Sequence, residues 1–175
     1  MYDYTIFPSG SWWVYEEESS GFRDSVAIVG VNRNFASNSR IVEYSYELMT
    51  SNLHSSMFGK GWSQSSALRK GLDGYCFHIG NFDDNIISSS NYKFLSSVAK
   101  GNILNPSQGV FLRKSDYFDS YDVNNTTFKK VKAFEVLDKF SQEIVTKYFY
   151  AKTIGLIRKE NHETNKVWNL IDYHI

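Results

Sequence analysis

Two runs near the end of the chain decide its architecture: Tyr148-Phe-Tyr-Ala-Lys-Thr-Ile-Gly-Leu-Ile-Arg-Lys-Glu160 and Lys166-Val-Trp-Asn-Leu-Ile-Asp-Tyr-His-Ile175. Both are dense in aromatic and branched residues, which fit a pleated, half-buried surface better than a helix. The polar connector Asn161-His-Glu-Thr-Asn165 between them is rich in turn formers, so the two runs read as a hairpin. Alternation places Val167, Ile171, Tyr173 and Ile175 on one face of the last strand and Trp168 and Leu170 on the other. Its start is therefore expected to be covered on both sides. Gly155, between Ile154 and Leu156, has no side chain and so permits a bend or the close approach of an aromatic ring.

The same period of two recurs upstream. Val42, Tyr44, Tyr46 and Leu48 share one face and Glu43, Ser45 and Glu47 the other, the pattern of a half-buried antiparallel strand. Ser11–Glu18 and Asp24–Asn32 flank Ser19-Ser-Gly21, whose small residues suit a hairpin turn. The second of these strands is expected to reach about Phe35 and to turn at Ala36–Ser39, so the first fifty residues read as a three-stranded meander. The centre is less regular. Gly59-Lys-Gly61 breaks a short strand over Leu53–Phe58, a polar run follows Trp62, and Ala67–Lys70 has the composition of a single helical turn. Further strands are expected over Leu72–Ile79, Tyr92–Val98, Val110–Lys114 and Thr127–Leu137. Asn102–Gly109, with Asn105-Pro106, reads as a loop. No segment has the pattern of a long amphipathic helix; the nearest, Val136–Tyr148, is rich in branched and aromatic residues and reads equally as strand-turn-strand.

The fold class that follows is all-β: a single domain over residues 1–175, an antiparallel meander forming a strongly curved open barrel or a β-sandwich, with few short helices. A chain of 175 residues is long enough for one core without disulfides or metals. Aromatics make up 17% of it, and their excess of Phe and Tyr agrees with strand content.

Charge and cysteine content exclude several function classes. Nineteen basic residues balance nineteen acidic ones, which removes the electrostatic footprint of a general nucleic-acid binder. Lys129-Lys130-Val-Lys132 is the densest basic stretch, and alternation divides it between two faces. Cys76 is the one cysteine, so neither an internal disulfide nor a multi-thiolate zinc site can form. No run of about eighteen apolar residues exists to span a membrane as a helix, so no transmembrane segment of that kind is expected.

Candidate chemistry is sparse. The chain has no Gly-x-Ser-x-Gly elbow, phosphate-binding glycine loop or His-Glu-x-x-His pair. Cys76 and His78, two apart on one strand, share a face and could form a thiolate–imidazole dyad, but no third orienting group accompanies them. Asp116, Asp119 and Asp122 read as solvated loop acids without calcium-loop spacing. The four histidines, His54, His78, His162 and His174, are scattered. No catalytic residue, metal ligand or cofactor is therefore assigned. The aromatic residues that could line a ligand surface are Trp12, Trp13, Trp62, Tyr117 and Tyr121. Trp12 and Trp13 are adjacent on a strand, so without a bulge one of them faces away from the core. Asn124-Asn-Thr126 and Asn125-Thr-Thr127 match glycan-acceptor triplets, relevant in a eukaryotic secretory setting.

Phe7-Pro-Ser-Gly-Ser-Trp-Trp-Val-Tyr-Glu16 with Gly21-Phe-Arg-Asp-Ser-Val26, and Tyr148–Glu160 with Trp168-Asn-Leu-Ile-Asp-Tyr173, resemble phrases in a group of uncharacterised secreted or lipid-anchored proteins of Bacteroides-type bacteria. These phrases cover about a third of the chain and carry no catalytic motif. The resemblance implies an all-β domain at the cell envelope or outside the cell, lipid-anchored in its precursor. Two functional classes stay open: a non-enzymatic module that contacts an envelope protein, a glycan or the surface polymer layer, and a carrier of a lipid or small hydrophobe in a barrel cavity. A hydrolase is a weaker third for want of a nucleophile, base and oxyanion set.

Overall fold

The computed structural model describes the backbone of residues 7–38, 44–55, 61–69, 75–79, 92–95, 103–105, 110–138 and 140–175, and the side chains of residues 7–31, 116–138 and 140–175. The described secondary structure is all strand, with no helix. In chain order the strands are β1 (Trp12–Glu17), β2 (Arg23–Asn38), β3 (Tyr44–Ser55), β4 (Gly61–Arg69), β5 (Tyr75–Ile79), β6 (Tyr92–Leu95), β7 (Ile103–Asn105), β8 (Val110–Val123), β9 (Thr126–Asp138), β10 (Ile144–Ala151), β11 (Gly155–Asn161) and β12 (Lys166–His174). They form one sheet in the order β6-β5-β4-β3-β2-β1-β12-β11-β10-β9-β8-β7. Every ladder is antiparallel. Apart from β1–β12, each joins strands consecutive in the chain. The sheet is thus an open up-and-down meander whose first and last strands meet in its middle.

Among the described residues five of the ladders carry a register shift, at Val14/Tyr15, Ile28/Gly30, Lys114/Asp116, Phe149/Tyr150 and Ile144/Thr146. Each such bulge bends its strand and adds right-handed twist, which gives a sheet of this width its curvature. The bulge opposite Val14/Tyr15 corrects the expected faces of the last strand. Val14 faces Asp172 and Tyr15 faces Leu170, so Ile171 is the extra residue. Tyr173 is thereby moved to the face of Trp13 and Leu170, opposite to strict alternation. As expected, the start of β12 is covered on both sides: Trp168, Asn169 and Leu170 are all buried.

Other sequence expectations need correction. Tyr148–Glu160 is itself a hairpin, since β10 ends at Ala151 and β11 begins at Gly155. Thr153 at φ 63° and Gly155 at φ 102° make the turn, and a glycine takes such a φ without a Cβ penalty. Asn102–Gly109 contains β7, and Ala67–Arg69 belongs to β4 rather than to a helical turn. β2 runs on to Asn38, past the expected turn at Ala36. Asp116–Asp122 lies within β8 and not in a loop. That strand is joined to β9 by Asn124 and Asn125, at φ 46° and 65°. Two consecutive positive φ values make a primed turn, whose twist matches that of the strands it joins. The Asn161–Asn165 connector turns as read: the Asn161 side-chain oxygen accepts the backbone N–H groups of Glu163 and Thr164 at 3.0 and 3.1 Å.

The core gathers β1, β2 and β8–β12. On β1 the pattern alternates cleanly, with Trp13, Tyr15 and Glu17 buried and Trp12, Val14 and Glu16 half-buried. On β9 to β11 consecutive residues are buried, including Ala133–Leu137, Tyr148–Ala151 and Gly155–Ile157, so this part of the sheet is covered on both faces. The ladder between β11 and β12 spans only Arg158–Asn161. Beyond it the strands diverge, and side chains of β1 take up carbonyls of the β10–β11 turn and of β11. The Trp13 indole N–H donates to the Ile154 carbonyl at 2.6 Å, and the Tyr15 hydroxyl donates to the Leu156 carbonyl at 3.0 Å. Phe7 closes the same seam, its ring 5.1 Å from that of Trp13 in an edge arrangement. A Cβ on Gly155 would lie 3.1 Å from the Phe7 ring. The missing side chain thus serves both the bend and the close ring contact.

Candidate functional site

The opposite face of β8 to β10 carries a different aromatic group. In the β8–β9 ladder Phe118 faces Val131 and Ser120 faces Lys129, while Asp119 and Lys130 are skipped. Lys130 takes φ 54°. This break resets the alternation and brings Tyr121 beside Phe118, with ring centroids 5.1 Å apart. Tyr121 also stacks on Phe149 of β10 at 4.7 Å and 24°, close to the offset-stacked geometry favoured by ring quadrupoles. Phe149 is buried beneath, and Phe118 and Tyr121 are half-buried; Tyr117, paired with Lys132, is on the opposite face of the sheet and 48% exposed.

Charged side chains border these rings. Lys147, two residues before Phe149 and hence on its face, places Nζ 5.4 Å from the Phe149 ring centroid. The same ammonium lies 3.4 Å from Glu135 and 3.5 Å from Asp116. Arg158 faces Phe149 across the β10–β11 ladder. Its Nε donates to Glu160 at 2.7 Å and its Nη1 to the Asn169 side-chain oxygen at 2.8 Å. Glu18 stands 3.7 Å from Arg158, and His162 stands 3.8 Å from Glu160. Burial raises the Tyr121 phenol above its ordinary pKa, Glu160 adds to that, and Arg158 and Lys147 oppose it. The phenol therefore stays protonated at neutral pH.

The arrangement offers half-exposed π-faces bordered by guanidinium and ammonium donors and carboxylate and amide acceptors. Glu18, Asp116, Glu135 and Glu160 outnumber Lys147 and Arg158, so the border is acidic. Such a surface suits a polyhydroxylated ligand, which presents C–H faces to aromatic rings and hydroxyls to charged hydrogen-bonding groups.

The aromatic residues singled out in the sequence fall into different settings. Trp13 is a core residue, buried and tied to Ile154. Trp12, on the other face as adjacency requires, is half-buried and stacks over His174 at 6.1 Å and 23°. Tyr117 and Tyr121 are both on β8, but Tyr117 faces the side of Lys132 and Tyr150 while Tyr121 joins Phe118 and Phe149 on the other. The Trp62 side chain is outside the described residues; its position in β4 faces Leu53 of β3. Cys76 and His78 occupy β5 two residues apart, and their side chains, like that of His54, also lie outside the described set. Among the described residues no three His, Cys, Asp or Glu side chains gather as metal ligands.

Sequence reading missed Phe118, Phe149, Lys147, Arg158 and Glu160 as a group. Part of the signal was present: Tyr148, Phe149, Tyr150 and Ala151 are apolar at every position, so β10 must be covered on both faces, and Lys147 and Phe149 share one of them. The strand character of Asp116–Val123 was hidden by its three aspartates.

No family model matches the chain, and no curated protein does. Among solved structures, the chain is similar to a crystal structure of a "putative lipoprotein" from Parabacteroides distasonis, with a TM-score of 0.45 and 12% identity over 98% of this chain and 100% of that one. Likeness at that level decides neither fold nor function. Among the described residues no helix is long and apolar enough to cross a membrane, which leaves strand-built crossings unaddressed.

Proposed function

We propose that the chain is a non-enzymatic binding module of the cell envelope, and that it contacts a glycan or surface polymer through the face formed by Phe118, Tyr121 and Phe149. The observation that carries this reading is the contrast between the two sides of the sheet. On the β1 side the rings of Trp13, Tyr15, Tyr148 and Tyr150 are all buried, with Leu156 among them. On the other side Phe118 and Tyr121 keep part of their rings in solvent beside a fixed set of donors and acceptors. A part-exposed aromatic patch bordered by fixed polar groups favours recognition. The envelope setting rests on the resemblance of both ends of the chain to secreted or lipid-anchored proteins. Trp12 and Trp62 belong to the proposal as secondary contacts; Trp13 is committed to the core.

The test is affinity electrophoresis through native gels cast with soluble neutral and acidic polysaccharides, alongside native mass spectrometry of protein taken from an envelope extract. Retardation by a polysaccharide that Tyr121→Ala and Arg158→Ala both abolish supports the reading. A lipid that co-purifies in stoichiometric amount, with no retardation in any gel, replaces it with carriage.

A further inference from the structure

The face of Phe149 carries more than its rings. Directly paired residues on neighbouring antiparallel strands share a face, and one line of such pairs runs unbroken away from the ring cluster. Phe149 on β10 faces Arg158 on β11, Arg158 faces Asn169 on β12, Asn169 faces Glu16 on β1, and Glu16 faces Arg23 on β2. The line crosses the strands and spans four strand spacings, about 19 Å. Side chains join it as well as register: Arg158 Nη1 donates to Asn169 at 2.8 Å, and Arg23 Nε donates to Glu16 at 2.7 Å. Asn169 is buried and Glu160 accepts from Arg158 Nε at 2.7 Å, so the guanidinium is fixed in place. A guanidinium has five N–H donors, and among the described residues those on Nη2 meet no acceptor. Arg23 and Glu16 stand at the far end with side chains 66% and 31% exposed, where an ion pair adds little to the fold.

We infer that the glycan lies across the strands along this line, so that the face takes an internal stretch of a linear polysaccharide and not a single sugar or a chain end. This rests on the reading of the Phe118, Tyr121 and Phe149 face as a glycan-binding surface, and adds the direction of the chain and its far contacts. One sugar ring packs on Tyr121 and Phe149, whose π-faces accept its C–H groups. The next units pass the Nη2 donors of Arg158, and later ones reach Glu16 and Arg23, which offer an acceptor and donors to hydroxyls. The line is several sugar rings long, so a disaccharide on the rings stops short of β1. Both ends are open, since Tyr121 is half-exposed and Arg23 is exposed, and a longer chain continues past each. The spacing along the line is set by the ladders and not by a loop, which suits a ligand with a regular repeat.

The probes are soluble linear β-glucan, mannan, xylan and galactan, with their oligosaccharides from disaccharide to octasaccharide, titrated into the isotope-labelled chain and followed by amide NMR. The expected result is an affinity that rises about tenfold or more from trisaccharide to octasaccharide as the far contacts are reached. Shift changes should extend from Phe149 through Arg158 and Asn169 to Glu16 and Arg23. Arg23→Ala should shrink the gain with length by about fivefold, the worth of one ordinary hydrogen bond, with urea unfolding as in the wild-type chain. Three results would overturn the inference and leave the glycan reading standing: equal binding of trisaccharide and octasaccharide, shift changes confined to β8–β10, or a wild-type length dependence in Arg23→Ala. Binding of none of the polymers or their oligosaccharides would remove the glycan reading and this inference with it.

Discussion

The seam between β1 and β11 and the ring cluster on β8–β10 use the same residue types to different ends. In the seam, Trp13 and Tyr15 are buried and each spends its polar group on a backbone carbonyl, those of Ile154 and Leu156. In the cluster, Tyr121 is held by stacking on Phe149 and Phe118, with its ring half-exposed. A buried aromatic whose N–H or O–H closes a backbone gap is an anchor of the fold, since leaving that carbonyl unpaired is costly. One held only by its ring face is free to exchange solvent for a ligand. The difference separates structural from recognition aromatics more sharply than exposure alone.

Trp13→Ala strikes the seam hardest. It removes a large core side chain and orphans the Ile154 carbonyl, so a loss of about 3–5 kcal/mol in urea unfolding is expected; a loss below about 1 kcal/mol would show that the seam is not a core element. Gly155→Val follows. Its Cβ would meet Phe7 at 3.1 Å and its backbone sits at φ 102°, so about 2–4 kcal/mol of destabilisation is expected from strain and overpacking. Tyr15→Phe keeps the ring and deletes the donor to Leu156, and should cost about 1–2 kcal/mol. Burial, reinforced by the nearby Asp24, already pushes the Tyr15 phenol far above its ordinary pKa, so the wild-type hydroxyl remains a donor throughout the alkaline range accessible to the folded chain.

The β1–β2 turn supplies a pH-dependent contrast. Ser20 and Ser19 donate from side chain and backbone to the Glu17 carboxylate, and these bonds lower its pKa from 4.5 to about 2, against the opposing effect of burial. A folded-state pKa below the unfolded one means that the carboxylate stabilises the fold at pH above about 4.5, and that this contribution disappears as pH falls from there toward about 2. Thermal unfolding across that window should show a smaller acid-dependent drop in Tm for Glu17→Gln than for the wild-type chain. An identical drop would mean that Glu17 is not clamped.

Much of the fold was legible before any coordinates. Period-two patterning identified the all-β class, the β1–β2–β3 meander and the hairpin at Asn161–Asn165, because alternation and turn chemistry are local signals. The errors arise where local rules break. The turn inside Tyr148–Glu160 depends on positive φ at Thr153, a residue that seldom adopts it, and Tyr173 changed face because a bulge at Ile171 reset the alternation. Bulges leave no composition signature. The three aspartates of β8 argued for a loop, yet the Asn124-Asn125 pair just beyond them is a primed-turn signal that could have revealed the strand. The ring cluster was partly visible: Tyr121 was identifiable, but Phe118 and Phe149 share a face only through the pairing of three strands, and Tyr121 joins them only through the break at Asp119 and Lys130, which is tertiary information.

The central claim, that the β8–β10 face recognises while the seam holds the fold, is most directly tested by polysaccharide affinity electrophoresis of Tyr121→Ala beside Tyr15→Phe, with urea unfolding of both. The account predicts that Tyr121→Ala loses retardation with a stability change below about 1 kcal/mol, and that Tyr15→Phe keeps retardation while losing stability. Full retardation in Tyr121→Ala, or loss of retardation in Tyr15→Phe at concentrations where it remains folded, would contradict it.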